Sequence, residues 1–211
     1  MRVLFVFAAC AATFSVYAND LEIEGDYFLD ADYDGNIKIT NGTLTIGGQL
    51  DGNIEQFGDG SVIVLDGASI DGNIKEQGPG DVSLSGNTDG NVEEEDDGFV
   101  VIAMTAMPSL DGNVSEKGDG GVIVQGDYDG VILEEGSGSV EIQMGASADG
   151  DITEKDSGSV IIWGQVGGNV EESGDGNVIV DPTGVVYGNV TEKDNGTVFG
   201  YGVVYGNTLG D

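Results

Sequence analysis

Apolar residues recur along this chain in two alternating phrases. The first begins one residue after a Gly-Asn pair, as in Gly52-Asn53-Ile54 and Gly72-Asn73-Ile74. The second reads x-Val-x-Val/Ile/Leu and lies eight to ten residues beyond the glycine. It includes Val62 and Val64, Val82 and Leu84, Val122 and Val124, Val140 and Ile142, Val160 and Ile162, and Val178 and Val180. Alternation built on β-branched residues is the signal of a half-buried strand, and the Gly-Asp-Gly or Asp-Ser-Gly between the phrases supplies a turn. A third short strand is expected just before the glycine, around Ile70, Leu110, Tyr128, Val166 and Val186.

Taking that glycine as position zero gives Gly35, Gly52, Gly72, Gly90, Gly112, Gly130, Gly150, Gly168, Gly188 and Gly206, a mean spacing of 19 residues. Self-similarity at this period marks a solenoid, whose single unit cannot bury its apolar side until neighbours stack on it. A meander of hairpins would explain the strand-turn-strand rhythm too, but it reverses direction at every turn. It therefore predicts no column of like residues, whereas Asn follows the glycine at 36, 53, 73, 91, 113, 169, 189 and 207, interrupted only by Val131 and Asp151. The expected fold is all-β: a single-stranded β-solenoid, or parallel β-helix, of about ten coils that alternate short and long. At about 4.8 Å per coil the rod would be roughly 48 Å long. The Asn column reads as an internal amide ladder. Residues 66–69, 104–109, 144–147 and 181–184 carry the extra length of the long coils and should protrude in one column.

At position +5 the series Glu95, Lys117, Glu135, Lys155, Ser173, Lys193 should bring opposite charges together between coils. At +4, Glu76, Glu94, Glu116, Glu134, Glu154, Glu172 and Glu192 form an all-acidic column with no such relief.

This pattern resembles secreted bacterial β-helix repeat proteins built on Gly-Asn-Val/Ile turns, and more distantly the bactofilin solenoids. The resemblance runs through Gly52-Asn53-Ile54, Gly90-Asn91-Val92, Gly112-Asn113-Val114 and their equivalents. It implies a non-enzymatic surface, adhesive or scaffold role.

The first eighteen residues differ in kind. Met1-Arg2, an apolar run from Val3 to Val16 and small residues before Asn19 read as a secretory signal peptide, leaving 19–211 as one solenoid domain. The apolar run is short of the roughly 20 residues that span a bilayer, so no membrane span is expected. The sole cysteine, Cys10, lies in that segment.

Charge narrows the functions further. The chain has 39 acidic residues against six basic ones, a formal net charge of −33, and no histidine. Such a field repels nucleic acid and anionic membranes and attracts cations. Without His, and without Arg or Cys beyond the first ten residues, Ser-His-Asp and Cys-His catalysis and His-ligated zinc are excluded. Paired carboxylates could serve a glycoside hydrolase, but no pair stands out from the repeat, and an enzyme is not expected. Asp51, Asp71, Asp89, Asp111, Asp129 and Asp149, with Asp34 before them, precede the anchor glycine in successive turns. Their carboxylates beside the Asn oxygens suit Ca2+, and Asp-Gly is equally ordinary turn chemistry.

The reading is a secreted, extracellular or cell-surface structural, adhesive or scaffold rod, strengthened by divalent cations and self-associating head to tail through uncapped ends. Ice binding through a flat ladder face is the alternative. A carbohydrate-binding or -degrading β-helix, with Trp163, Phe57 and Tyr201 stacking on glycans, is the second alternative.

Overall fold

The structure is a computed structural model that describes residues 20–103 and 110–210. Every strand pair in it is parallel and pairs one coil with the next. The expected all-β parallel solenoid of about ten turns is what the chain forms. The signal-peptide segment, Cys10 and the 104–109 protrusion lie outside the described residues.

Each coil has three sides. The first phrase forms an 11-stranded sheet, from Leu21–Glu24 through strands such as Ile74–Gln77 to Thr208–Leu209. The second forms a 10-stranded sheet from Tyr27–Leu29 to Val198–Gly200. The short third phrase forms two five-stranded sheets, one ending at Leu110–Asp111 and the other beginning at Asp127–Tyr128. A single bridge between Asp111 and Asp129 joins them.

Registers align like with like: Ile54, Ile74, Val92, Val114, Ile132 and Ile152 stack in one column, and Val62, Val82, Val100, Val122 and Val140 in another. These side chains point inward and are almost wholly buried, so the core is a continuous file of aliphatic columns. No coil can bury its apolar side without its neighbours, and burial, at about 25 cal/mol per Å², therefore accumulates only as coils stack.

The anchor glycines are there because the corner leaves no room for a side chain. A Cβ on Gly72 would lie 2.3 Å from the Gly52 carbonyl oxygen. At the corner after the first sheet the backbone turns left-handed. Asn41, Asp96, Asp156 and Asp194 take positive φ there, the residue types that tolerate it best after glycine. Three of the long-coil insertions fold as four-residue turns. Each is closed by a backbone bond: Ala68 N to Leu65 O, Ala146 N to Gln143 O and Gly184 N to Asp181 O. Leu65 and Met144 stand exposed on these turns.

Candidate functional site

The predicted Asp residues fall on one outer corner. Asp34, Asp51, Asp71, Asp89 and Asp111 are paired in register, one above the next, and Asp129 continues the file through its bridge to Asp111. Asp149 follows, with its amide bonded to the Tyr128 carbonyl. All of these residues are exposed. Their carboxylates are spaced by whole coils. Among the described residues no group of three or more His, Cys, Asp or Glu side chains is arranged to hold a metal ion.

The Asn ladder forms as expected, but on the outside. Asn53 bonds Asn36 Oδ1 through both its backbone amide and its side-chain Nδ2, at 2.9 and 3.1 Å. Asn73 bonds Asn53 in the same way, and Asn189 and Asn207 repeat the pattern. The residue after each anchor Asn turns inward, so by the in-out alternation of the strand these side chains face solvent. The ladder runs along an edge of the rod, not across a flat face.

Its interruption has a local substitute. Where Val131 replaces Asn, the buried Tyr128 hydroxyl lies 2.9 Å from both the Gly112 and Val131 carbonyl oxygens. One coil on, Asp151 Oδ1 accepts from the amide and Nδ2 of Asn169 and restarts the ladder.

The outer surface of the first sheet is an array of ion pairs. Lys75 and Lys117 share Glu93 and Glu95, at 2.6 to 3.8 Å. Lys155 meets Glu135, and Lys193 meets Glu171. The +5 alternation supplies the Lys117–Glu95 and Lys155–Glu135 pairs, while Glu93 and Glu171 come from position +3. The Glu93 carboxyl is held below its usual range, first by the Lys117 hydrogen bond. A shallow groove of about 600 Å³ runs along this sheet beside the Asn ladder, lined by Asn53, Asn73, Lys38, Lys75, Glu55 and Glu93.

What sequence reasoning missed is where the +4 acidic column lies, on the other side of the same strands. Glu76, Glu94, Glu116, Glu134, Glu154 and Glu172 point into the core and are fully buried, with Gln56 before them and Glu192 after. They share a register: Gln56, Glu76, Glu94, Glu116, Glu134, Glu154, Glu172 and Glu192 follow one another without a gap. Consecutive carboxyls are thus about one strand spacing apart, near 4.8 Å.

Four residues after each comes a glycine. The amides of Gly138, Gly158, Gly176 and Gly196 donate to Oε1 of Glu134, Glu154, Glu172 and Glu192 at 3.0, 2.7, 2.9 and 2.8 Å. The absence of a side chain there makes the space. A Cβ on Gly158 would stand 1.5 Å from Gly138 O and 2.7 Å from Glu154 Oε1.

Burial raises six of these acids, Glu76 to Glu172. Desolvation, the largest cause throughout, pushes Glu76, Glu94 and Glu116 up to about 8. It pushes Glu134, Glu154 and Glu172 up to about 7. In all six a backbone amide of a following glycine works against the rise, because a hydrogen bond to the anion favours the charged form. The motif Glu-x-x-x-Gly, in phase with the apolar +2 position, is the signal that would have placed the column inside.

Comparison with known protein families, curated proteins and solved structures finds no match for this chain.

Proposed function

We propose that this protein is a non-enzymatic, exported structural rod that lengthens by stacking end to end. The carrying observation is how the two terminal coils differ. At one end Leu21, Ile23, Tyr27 and Tyr33 are only partly covered by the core. At the other, two inward columns finish in glycine. Gly200 follows Val180 in register, and Gly210 follows Glu192 by continuation of the Val190–Thr208 and Thr191–Leu209 pairing. Large apolar side chains at one face and small ones at the other are complementary, so Leu29 and Ile23 of one copy would settle over Gly200 and Gly210 of the next.

Among the described residues the outer edges of Leu21–Glu24 and Thr208–Leu209 have no partner strand, and such edges invite pairing. Stacking in this sense keeps all strands parallel. A head-to-tail contact between unlike surfaces propagates instead of closing. Exposed Tyr201, Tyr205 and Leu209 surround the C-terminal coil and extend the contact. The exposed Asp file and the large negative charge oppose assembly, and divalent cations would relieve that repulsion.

Sedimentation velocity and electron microscopy of the chain lacking residues 1–18, in calcium and in chelator, test this reading. It predicts filaments whose growth is faster in calcium and is stopped by Ile23→Lys. A monomer at all concentrations in both conditions would overturn it.

A second reading draws on the second sheet. Its central outward column is Ile63, Ser83, Val101, Ile123, Glu141, Ile161 and Ile179, with one charge among seven residues of a very acidic chain. A flat, nearly uncharged face fits attachment to an ordered surface such as ice or packed glycan. Thermal hysteresis and glycan-binding assays distinguish this role from assembly.

A further inference from the structure

Seven glutamates and one glutamine stand in single file inside this rod, and no base stands with them. The lysines near the file, Lys75, Lys117, Lys155 and Lys193, are on the outer surface, paired to Glu93, Glu95, Glu135 and Glu171. From the second sheet the core receives only aliphatic columns around Val62, Val64, Val122 and Val124. From the third side it receives aliphatic residues, Thr88 and Tyr128, and the Tyr128 hydroxyl is committed to two carbonyls. Tyr27 and Tyr33 sit at the N-terminal coil, beyond Gln56. The charges of Asp81 and Asp96, in turns of the first two sheets, bear on Glu76 and are of the same sign as its anion.

An ionised file would therefore place like charges about 4.8 Å apart in a medium stripped of water, with no cation to offset them. Proton uptake removes that cost. We propose that the column from Gln56 to Glu192 is a proton-binding site, a file of carboxylic acids hydrogen-bonded along the rod axis and loaded at neutral pH. Each loading event forms one O–H bond on a carboxylate and breaks one in the hydronium ion that gives up the proton and leaves as water.

Gln56 gives the file its direction. Its Nε2 donates to Gly58 O at 3.0 Å, which leaves Oε1 buried and without a donor. The next member is Glu76, whose two oxygens are likewise buried and meet no donor. A carboxylate at Glu76 would present oxygen to oxygen, and a carboxylic acid supplies the missing hydrogen. Glu94 and Glu116 repeat the situation, with both oxygens unmatched. Glu134, Glu154 and Glu172 each use Oε1 for a glycine amide and keep Oε2 buried and unmatched, free to exchange a hydrogen with the next carboxyl. One proton per member answers each of these open valences.

The test is a proton count. Unfolding the chain with urea at pH 6, in enough salt to screen the surface charges, should release about six protons, because free glutamates ionise near pH 4.3. Glu94→Gln and Glu134→Gln should each lower the count by one, and exposed Glu55→Gln should leave it unchanged. Glutamine already occupies this column at position 56, so the replacement fits. On the unaltered protein, difference infrared spectroscopy should show a carboxylic-acid carbonyl band at pH 6 that is lost on unfolding. A count above three that falls by one with each column variant, together with that band, sustains the proposal. A count of three or fewer, a count indifferent to the column variants, or no acid band overturns it.

Discussion

Replacing Glu116 by glutamine should change how stability depends on pH far more than it changes stability itself. Glu116 lies at the middle of the file, fully buried, with its carboxyl raised to about 8 from an ordinary 4.5. Its folded pKa is above its unfolded one, so its contribution is fully present below about pH 4.5. That contribution is then lost as pH rises towards 8. Between pH 5 and 7 the folded chain keeps a proton at this site that the unfolded chain has given up. Each pH unit in that window costs the native state about 1.4 kcal/mol through this one group, or about 2.7 kcal/mol over the two units.

Glutamine does not titrate, so the variant lacks this slope. Near pH 5 the two proteins should be of similar stability, since an amide and a carboxylic acid each offer one donor and one acceptor to the file. At pH 7 the Glu116→Gln chain should be the more stable by about 2.7 kcal/mol. Urea unfolding at pH 5, 6, 7 and 8, in high salt and with Glu55→Gln as the exposed control, measures the difference. Stacked repeats can unfold in stages, so the slope of each transition must be compared as well as its midpoint. A stability difference between variant and parent that is the same at pH 5 and pH 7 would refute the buried-acid reasoning.

Three further substitutions probe the remaining contacts. Ile132→Ala empties a fully buried position of the main core column and should cost about 2–5 kcal/mol, read from urea unfolding. Gly158→Ala drives a methyl to within 1.5 Å of Gly138 O and against Glu154, so overpacking should cost about 1–3 kcal/mol or more, seen as a lower thermal midpoint. Asn73→Ala removes the acceptor for Asn91 and the Nδ2 donor to Asn53. On an exposed edge that should cost about 1–2 kcal/mol, with the loss of amide protection confined to the neighbouring corners in hydrogen exchange.

The architecture was legible because one rule governs most positions. Inward residues on the strands are β-branched and alternate, and the Gly-Asn corner marks the phase of every coil, so the winding, the three sides and the approximate coil count follow from spacing alone. The two ladders were harder because they depend on parity at a corner and on ionisation. The Asn file was expected inside, yet Asn53 directly precedes inward Ile54 on the strand and must face the other way. The Glu file was legible as a column but not as a buried one. Glu76 is two residues after inward Ile74, and alternation alone places it inside. Against that placement stands the cost of burying an ionised carboxylate, which a neutral acid does not incur.

Glu93 and Glu94 show how far one strand can separate two copies of the same side chain. They are adjacent in sequence. The Lys117 ammonium holds the first below its usual range, and burial lifts the second to about 8. The strand's two faces thus set two titration regimes. Outer Glu93 is held in its charged form beside Lys117, while the inner acids ionise only as pH climbs through about 7 to 8. At pH 6 the folded chain would then carry about six negative charges fewer than its formal −33. Alkalinisation adds those charges inside a core that cannot solvate them, so their mutual repulsion is relieved only by separating coils. The proposed end-to-end stacking would use the same kind of coil-to-coil contacts as the interior. It follows that filaments should shorten over the same pH range in which single rods lose stability, and should do so less in chains whose column has been converted to glutamine.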